Sequence, residues 1–207
     1  MEEIELRPGV TVWPALSSPL SADTFFIHQG ETVWVFDVGN DPQRARALQD
    51  IPGDKRVVLS HFHADHMGAL PLVEANEVYA GSFTCKKLKR ATPVTAPLSV
   101  GDIQLFPLPS SHAKGCVALQ YKDLLLLGDG AYAGQKEGRA AYNTGQLGAL
   151  LQVLRQVPAT TCCLSHRTPL MVGKDRVLSF LQGIYDRRDK TAAIFLCKRE
   201  ACQPKRA

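Results

Sequence analysis

The stretch LSHFHADHMG, Leu59–Gly68, is rich in side chains that can bind metals. Three of the six histidines and one aspartate lie within six consecutive residues, namely His61, His63, Asp65 and His66. The β-branched run RVVLS, directly before them, predicts a short buried strand. Neutral imidazole and carboxylate are ligands for Zn²⁺, Fe²⁺ or Mn²⁺, so the segment predicts a metal site. The alternative is a polar surface loop that is rich in histidine.

Other ligand-type residues lie where predicted strands end. Asp37 ends one apolar run, His112 follows DIQLFPLPS, Asp129 follows DLLLLG, and His166 follows ATTCCLS. Ligand sites of layered α/β folds gather outside strand ends, because loops there carry side chains that a rigid sheet positions. Seven ligand-type residues are enough for two metals with a bridging carboxylate, namely His61, His63, Asp65, His66, His112, Asp129 and His166. Only His28 lies in the middle of a predicted strand, and we expect it to be a packed or surface residue.

The remaining patterns predict one mixed α/β domain over residues 1–207. Predicted strands are VTVWPAL, a hairpin of TFFIHQ and TVWVFDVGN, RVVLS, EVYA, DIQLFPLPS, two runs joined at Lys122–Asp123, and ATTCCLS. Predicted helices are DPQRARALQD with Asp41 as N-cap and Pro42 at its first position, GALPLVEAN, SFTCKKLKR, TGQLGALLQVLRQV and GKDRVLSFLQGIYDRRDK. The C-terminal tail, about 198–207, is polar, and we expect it to fray.

Composition and charge narrow the partners and the compartment. The net charge of +4 can favour an anionic small molecule but is too weak to predict nucleic-acid binding. The basic run Lys86–Arg90 predicts a solvated helix face, with contact to a ligand or nucleic acid as the alternative. The six cysteines form no C-x-x-C pair and predict buried, reduced thiols. The acidic N-terminus predicts no signal peptide, and no apolar run is long enough for a membrane span. Together these features predict a cytoplasmic protein.

The motifs resemble those of the metallo-β-lactamase fold superfamily of metallohydrolases. HFHADH matches its hallmark H-x-H-x-D-H, and FDVGN, SSHAKGC and LLLLGDGAY resemble its other motifs. LSHRTP departs from the pattern, because it lacks the glycines that often flank the last histidine. The resemblance implies an αββα sandwich. It also implies two Zn²⁺ ions, with Fe or Mn as alternatives, the first held by His61, His63 and His112. Asp65, His66 and His166 would hold the second, Asp129 would bridge the two, and Asp37 would support them by hydrogen bonds.

The resemblance also implies the chemistry. A metal-bound hydroxide would attack an ester, thioester or lactone, and Asp65 would orient the nucleophile and protonate the leaving group. With an aspartate at position 129 the chain resembles the glyoxalase II, lactonase and RNA-processing branches rather than the true β-lactamases. The chain after His166 is too short for most of the glutathione-binding region of glyoxalase II. Tyr132 resembles a lactonase tyrosine that polarises the substrate carbonyl, although ordinary packing is the simpler interpretation.

Two other functions are compatible with the same residues. Sulfur dioxygenases resemble the same motifs, but they use one iron at a site of the His61–His63–His112 type. A non-enzymatic metal-binding protein with a vestigial site is the third class, and the intact ligand set disfavours it.

Overall fold

The computed structural model describes residues 3–197, and the chain divides into two compact units. The first comprises Met1–Thr95 and the second Ala96–Ala207. Each unit contains a mixed sheet together with helices, so the predicted α/β class is confirmed. The expectation that residues 1–207 form a single domain stays a prediction, and the tail at 198–207 lies outside the described residues.

The first unit is built on a seven-stranded sheet with the order β1-β2-β5-β6-β7-β8-β9. Its strands are β1 (Ile4–Arg7), β2 (Val10–Trp13), β5 (Thr24–Gln29), β6 (Thr32–Phe36), β7 (Asp54–Leu59), β8 (Glu77–Ala80) and β9 (Thr92–Pro93). The small strands β3 (Leu16–Ser17) and β4 (Leu20–Ser21) pair with each other. The predicted hairpin is present as the antiparallel pair β5–β6, whereas β6, β7, β8 and β9 run parallel. His28 is exposed on β5, and it is therefore a surface residue, one of the two predicted alternatives.

The helices of the first unit agree with prediction in one case and differ in two. Helix α1 (Pro42–Asp50) begins as predicted, and the Asp41 carboxylate accepts hydrogen bonds from the backbone N–H groups of Gln43 and Arg44. The helix predicted over GALPLVEAN is wrong. The chain forms α2 (Ala64–Met67) and then a 3₁₀ turn at Leu70–Leu72, with Pro71 in its first turn.

The basic run also departs from the predicted helix. Helix α3 spans only Ser82–Cys85, and Lys86–Arg90 follow in turns. Like charges one helical turn apart repel, so Lys86 and Arg90 disfavour its continuation. The run is therefore a solvated turn rather than a helix face.

The second unit contains a six-stranded sheet with the order β10-β11-β12-β13-β16-β17 and a three-stranded sheet β14-β15-β18. The larger sheet comprises β10 (Leu98–Val100), β11 (Ile103–Leu108), β12 (Cys116–Tyr121), β13 (Leu124–Leu126), β16 (Thr161–Cys163) and β17 (Met171–Gly173). The smaller one comprises β14 (Gly134–Lys136), β15 (Arg139–Asn143) and β18 (Ile194–Cys197). The strands predicted on either side of Lys122–Asp123 are β12 and β13, which pair antiparallel.

Two amphipathic helices complete the second unit. Helix α4 (Thr144–Gln156) buries Leu147, Leu150, Leu151 and Leu154, the period that the sequence predicted. Helix α5 (Lys174–Asp186) buries Val177, Leu181 and Ile184 in the same core cluster. Both helices therefore cover the sheet with one apolar face. Among the residues described, no helix is long and apolar enough to span a membrane.

The described cysteines agree with the predicted reduced thiols. Cys85, Cys116, Cys162 and Cys163 are free, and all but Cys85 are buried. Burial raises the pKa of the Cys162 thiol to about 12, so this thiol stays protonated near neutral pH. Cys202 lies outside the described residues.

Candidate metal centre

In the first unit, two parallel strands bring Asp37 next to the histidine-rich segment. Strands β6 and β7 pair in parallel, so both end at the same edge of the sheet. Asp37 follows β6, and Ser60 and His61 follow β7. The backbone N–H of Asp37 continues the pairing by donating to the carbonyl of Val58 at 2.9 Å. The strand pairing therefore fixes the position of the carboxylate beside the segment.

The Asp37 carboxylate orients two histidines. It accepts hydrogen bonds from the Ser60 N–H and the Ser60 hydroxyl, both at 2.7 Å, and from Nδ1 of His66 at 2.7 Å. Because the hydroxyl proton of Ser60 points to Asp37, Oγ accepts from Nδ1 of His61, which lies 3.0 Å away. Both rings then carry their proton on Nδ1, and Nε2 is left as the ligand atom.

Backbone hydrogen bonds hold the segment from two sides. The N–H groups of Val38 and Gly39 donate to the carbonyl of His66 at 3.0 and 3.1 Å, and Ala22 N–H donates to the carbonyl of Asp65 at 2.7 Å. Gly68 permits this close approach, since a Cβ there would lie 2.1 Å from Oδ1 of Asn40. The ligand-type residues thus stand on a rigid support.

The side chains of this segment converge. The ring centroid of His61 lies 4.4 Å from that of His63 and 4.1 Å from that of His66. Oδ2 of Asp65 lies 3.6 Å from Nε2 of His66. Three imidazoles and one carboxylate are therefore concentrated in a small volume, as a metal site requires.

In the second unit, three candidate ligands follow strands that point the same way. Strands β11, β12 and β13 alternate in direction, and β13 and β16 are parallel, so β11, β13 and β16 end at one edge. His112, Asp129 and His166 follow these strand ends. Nδ1 of His112 donates to the carbonyl of Ala133 at 3.2 Å, while its Nε2 lies 3.4 Å from Oδ2 of Asp129. His112 thus also presents Nε2.

Two of the candidate residues have left-handed backbone conformations. His166 has φ 59° and Asp37 has φ 58°, although neither is glycine. Such conformations cost about 1–3 kcal/mol and often occur at functional sites.

Tyr132 is held within the second unit. Its hydroxyl donates to the backbone carbonyl of Ser165 at 2.6 Å, and its ring packs against the core of α4, α5 and the larger sheet. A phenol has one proton, so it cannot serve Ser165 and a substrate carbonyl at the same time. The predicted catalytic role of Tyr132 stays a prediction.

The candidate ligands fall into two groups that could each hold a metal ion. One group is His61, His63 and His112, and the other is Asp65, His66, Asp129 and His166. Within each group the ligand atoms lie within 4.8 Å of one another. Nitrogen and carboxylate donors with fixed imidazole tautomers suit Zn²⁺, and they also suit Fe²⁺ or Mn²⁺. His28 belongs to neither group.

Sequence reasoning missed two residues of this region. Ser60 transmits the hydrogen bond from Asp37 to His61, and Phe62 packs its ring 4.9 Å from that of His63. Both lie inside the quoted stretch. In the sequence, only their position beside the histidines pointed to them. Their partners, such as Asp37 and Phe83, come from other parts of the chain.

Part of the chain matches a known protein family and a curated relative. Residues 18–80 match the family model described as the metallo-beta-lactamase superfamily. Ribonuclease Z from Prochlorococcus marinus (strain MIT 9515) is 23% identical over 158 residues. That alignment covers 75% of this chain but only 43% of the relative, so the chain spans less than half of its length.

Solved structures extend the likeness over most of the chain. The metallo-β-lactamase FIM-1 from Pseudomonas aeruginosa, in its mono-zinc form, has a TM-score of 0.68 at 16% identity, covering 90% of this chain and 95% of FIM-1. A peroxy diiron species of the chemotaxis sensor ODP has a TM-score of 0.65 at 13% identity, covering 88% of this chain and 95% of the sensor. These likenesses show the fold, an α/β arrangement with two mixed sheets.

Proposed function

We propose that the chain is a metal-dependent hydrolase of small esters, thioesters or lactones, because residues 18–80 match the metallo-beta-lactamase superfamily and the histidine-rich ligand set is intact. The observation that carries the proposal is the pair of ligand groups, three histidines in one and four His or Asp residues in the other. The proposed setting is the cytoplasm, which the free thiols support.

The residues fit two zinc ions. His61, His63 and His112 would hold the first, and Asp65, His66 and His166 the second. Asp129 is the proposed bridge, which is supported by the 3.4 Å contact between its carboxylate and His112, a member of the other group. When bound, such a metal pair activates water and stabilises negative charge on the acyl oxygen.

Asp65 is the proposed proton carrier. Its side chain is 18% exposed, whereas that of His66 beside it is fully buried. A carboxylate in this setting can accept a hydrogen bond from the nucleophilic water and later protonate the leaving group. Asp37 stays buried and unavailable to substrate, so it acts by orienting His66 and, through Ser60, His61.

The proposed substrate class follows the glyoxalase II-like and lactonase-like branches, on the strength of the carboxylate at position 129. The name of the Prochlorococcus relative raises phosphodiester cleavage as a competing activity. The low net charge favours a small molecule over RNA.

A second candidate function is a sulfur dioxygenase with a single iron at His61, His63 and His112. The diiron sensor among the similar structures supports it, because it is an iron protein of this fold. Oxygen consumption with a glutathione persulfide would indicate this activity, whereas proton release from thioesters or lactones would indicate hydrolysis.

Metal analysis followed by a substrate panel tests the main proposal. We expect about two transition-metal ions per chain after reconstitution, and turnover of at least one ester, thioester or lactone. A chelator-treated sample is the control and should regain activity on adding Zn²⁺. Less than one metal ion per chain, unchanged by reconstitution, would overturn the proposal, and inactivity of the fully loaded protein towards the whole panel would favour a vestigial site.

A further inference from the structure

A cationic aromatic patch adjoins the histidine-rich segment within the first unit, and we define it as Phe62, Phe83 and Lys87. The ring centroid of Phe62 lies 4.9 Å from that of His63 and 5.0 Å from that of Phe83. Nζ of Lys87 stands over the Phe62 ring, 5.3 Å from its centroid. Lys87 is exposed and both phenylalanines are partly buried, so solvent reaches the patch.

The charge of this region is not neutralised. Lys86, Lys87, Lys89 and Arg90 are all exposed. Within residues 3–197, none of these four makes a salt bridge with a carboxylate. The cation–π contact holds the ammonium group of Lys87 in place, and it leaves the N–H donors of that group able to bind an anion.

We propose that the cationic aromatic patch binds a carboxylate carried by the far end of the substrate's acyl chain. The inference rests on the proposed function, because it assumes that the reacting acyl group lies at the histidines. From His63, one phenyl ring separates the site from Lys87, a span that a short aliphatic chain can follow. Phe62 and Phe83 would contact the methylene groups, and Lys87 would bind the carboxylate.

A small dicarboxylic half-thioester matches the patch better than a nucleic acid. Single-stranded nucleic acids are bound by successive aromatic platforms along a basic groove. Here the two rings are inclined at 52° to each other, and a single cation is fixed over one of them. The geometry therefore provides one apolar contact and one anion contact.

Matched thioesters test the inference. The metal-loaded protein is assayed with succinyl, glutaryl and adipoyl thioesters of N-acetylcysteamine, each against the butyryl, valeryl or hexanoyl thioester of equal length. We expect a preference of about fivefold or more in kcat/KM for the charged member at one or more lengths. Lys87→Met keeps the aliphatic stem but removes the charge. It should abolish the preference by raising KM for the charged thioesters, whereas kcat/KM for the uncharged thioesters should not change.

Lys122→Met is the matched control, since Nζ of Lys122 also stands over an aromatic ring, 4.9 Å from the centroid of Tyr121. It changes the net charge equally and should keep the preference. Calorimetry with the amide analogues of the same thioesters separates this inference from the proposed hydrolase function. Charge-selective binding of the amides through Lys87 would persist even if the thioesters were not hydrolysed. The inference is wrong if neither thioesters nor amides show the preference, if both lysine variants lose it equally, or if Lys87→Met abolishes only the binding of single-stranded RNA.

Discussion

The two units hold their candidate ligands in opposite ways. The first unit supplies His61, His63, Asp65 and His66 from one short segment. A buried carboxylate outside that segment, Asp37, orients His66 directly and His61 through Ser60. The second unit supplies His112, Asp129 and His166 from three loops. There, backbone carbonyls and the sheet do most of the positioning.

The two units should therefore respond differently to the loss of a single side chain. In the first unit one buried side chain, Asp37, contacts Ser60 and His66 and reaches His61 through Ser60, so a single substitution should affect several ligands. In the second unit the support is distributed over many backbone contacts. Loss of one side-chain hydrogen bond there should have a smaller effect.

The largest effect should come from removing one ligand carboxylate from each unit. We expect Asp65→Asn and Asp129→Asn each to lower kcat by about 100-fold or more, because an amide is a poor metal ligand and cannot transfer the proton. Steady-state kinetics on the best substrate and metal content measure this. His28→Ala is the control and should remain near wild type, since His28 is exposed on β5. Equal losses in all three variants would mean that the site has been misidentified.

The second-largest effect should be a loss of metal affinity in Asp37→Asn. The amide cannot accept all the bonds that the carboxylate accepts from Ser60 and His66, so we expect metal affinity to fall about 10- to 100-fold. Competition with a chromogenic chelator measures the affinity, and circular dichroism checks the fold. Asn tolerates the left-handed conformation of residue 37.

Asp41→Asn is the matched control for this change. It alters the charge equally, and Asn caps a helix as well as Asp does, so α1 and metal binding should be unaffected. Wild-type metal affinity in Asp37→Asn would contradict the orienting role of Asp37.

A smaller effect is expected for Tyr132→Phe in the second unit. The change removes the hydrogen bond to the Ser165 carbonyl, directly before His166, so we expect metal affinity to fall by about tenfold or less and kcat to change little. Tyr142→Phe is the control, because it removes a bond to the Ala131 carbonyl, which does not adjoin a candidate ligand. A loss in kcat of about 100-fold with full metal content would instead support the lactonase-like role of Tyr132.

The smallest effect concerns pH and the buried thiol of Cys162. Its pKa is about 12 in the folded protein against an ordinary value of 9.0, so folding favours the protonated form. The resulting stabilisation is complete below about pH 9 and is lost as pH rises towards 12. Urea unfolding should show the free energy of unfolding falling by about 1 kcal/mol per pH unit from this group. Cys162→Ala should have a shallower dependence, and an identical slope would contradict the assignment.

Much of the fold could be predicted from local patterns. The β5–β6 hairpin, the capped start of α1 and the buried stripe of α4 all follow from signals within a few residues. The predicted fold is confirmed, and residues 18–80 match the superfamily that the motifs resemble. The individual ligand roles stay predictions.

The missed elements depend on distant partners. Strand β1 and the pairing of β15 with β18 received no prediction, because short strands acquire their stability from neighbours far along the chain. The helix predicted over GALPLVEAN was wrong because its apolar period outweighed Pro71 in the interpretation. The chain there forms only a 3₁₀ turn at Leu70–Leu72, with Pro71 in its first turn.

Local sequence properties establish which side chains are available for a metal site. They are the spacing within LSHFHADHMG and the strand-end positions of His112, Asp129 and His166. The tertiary structure alone decided how those side chains are oriented. Three sets of contacts join groups that are distant in the sequence. Asp37 accepts hydrogen bonds from Ser60 and His66, the Tyr132 hydroxyl donates to the Ser165 carbonyl, and Lys87 stands over the Phe62 ring. Hydrogen bonds and cation–π contacts depend on distance and angle, and only the folded chain sets those.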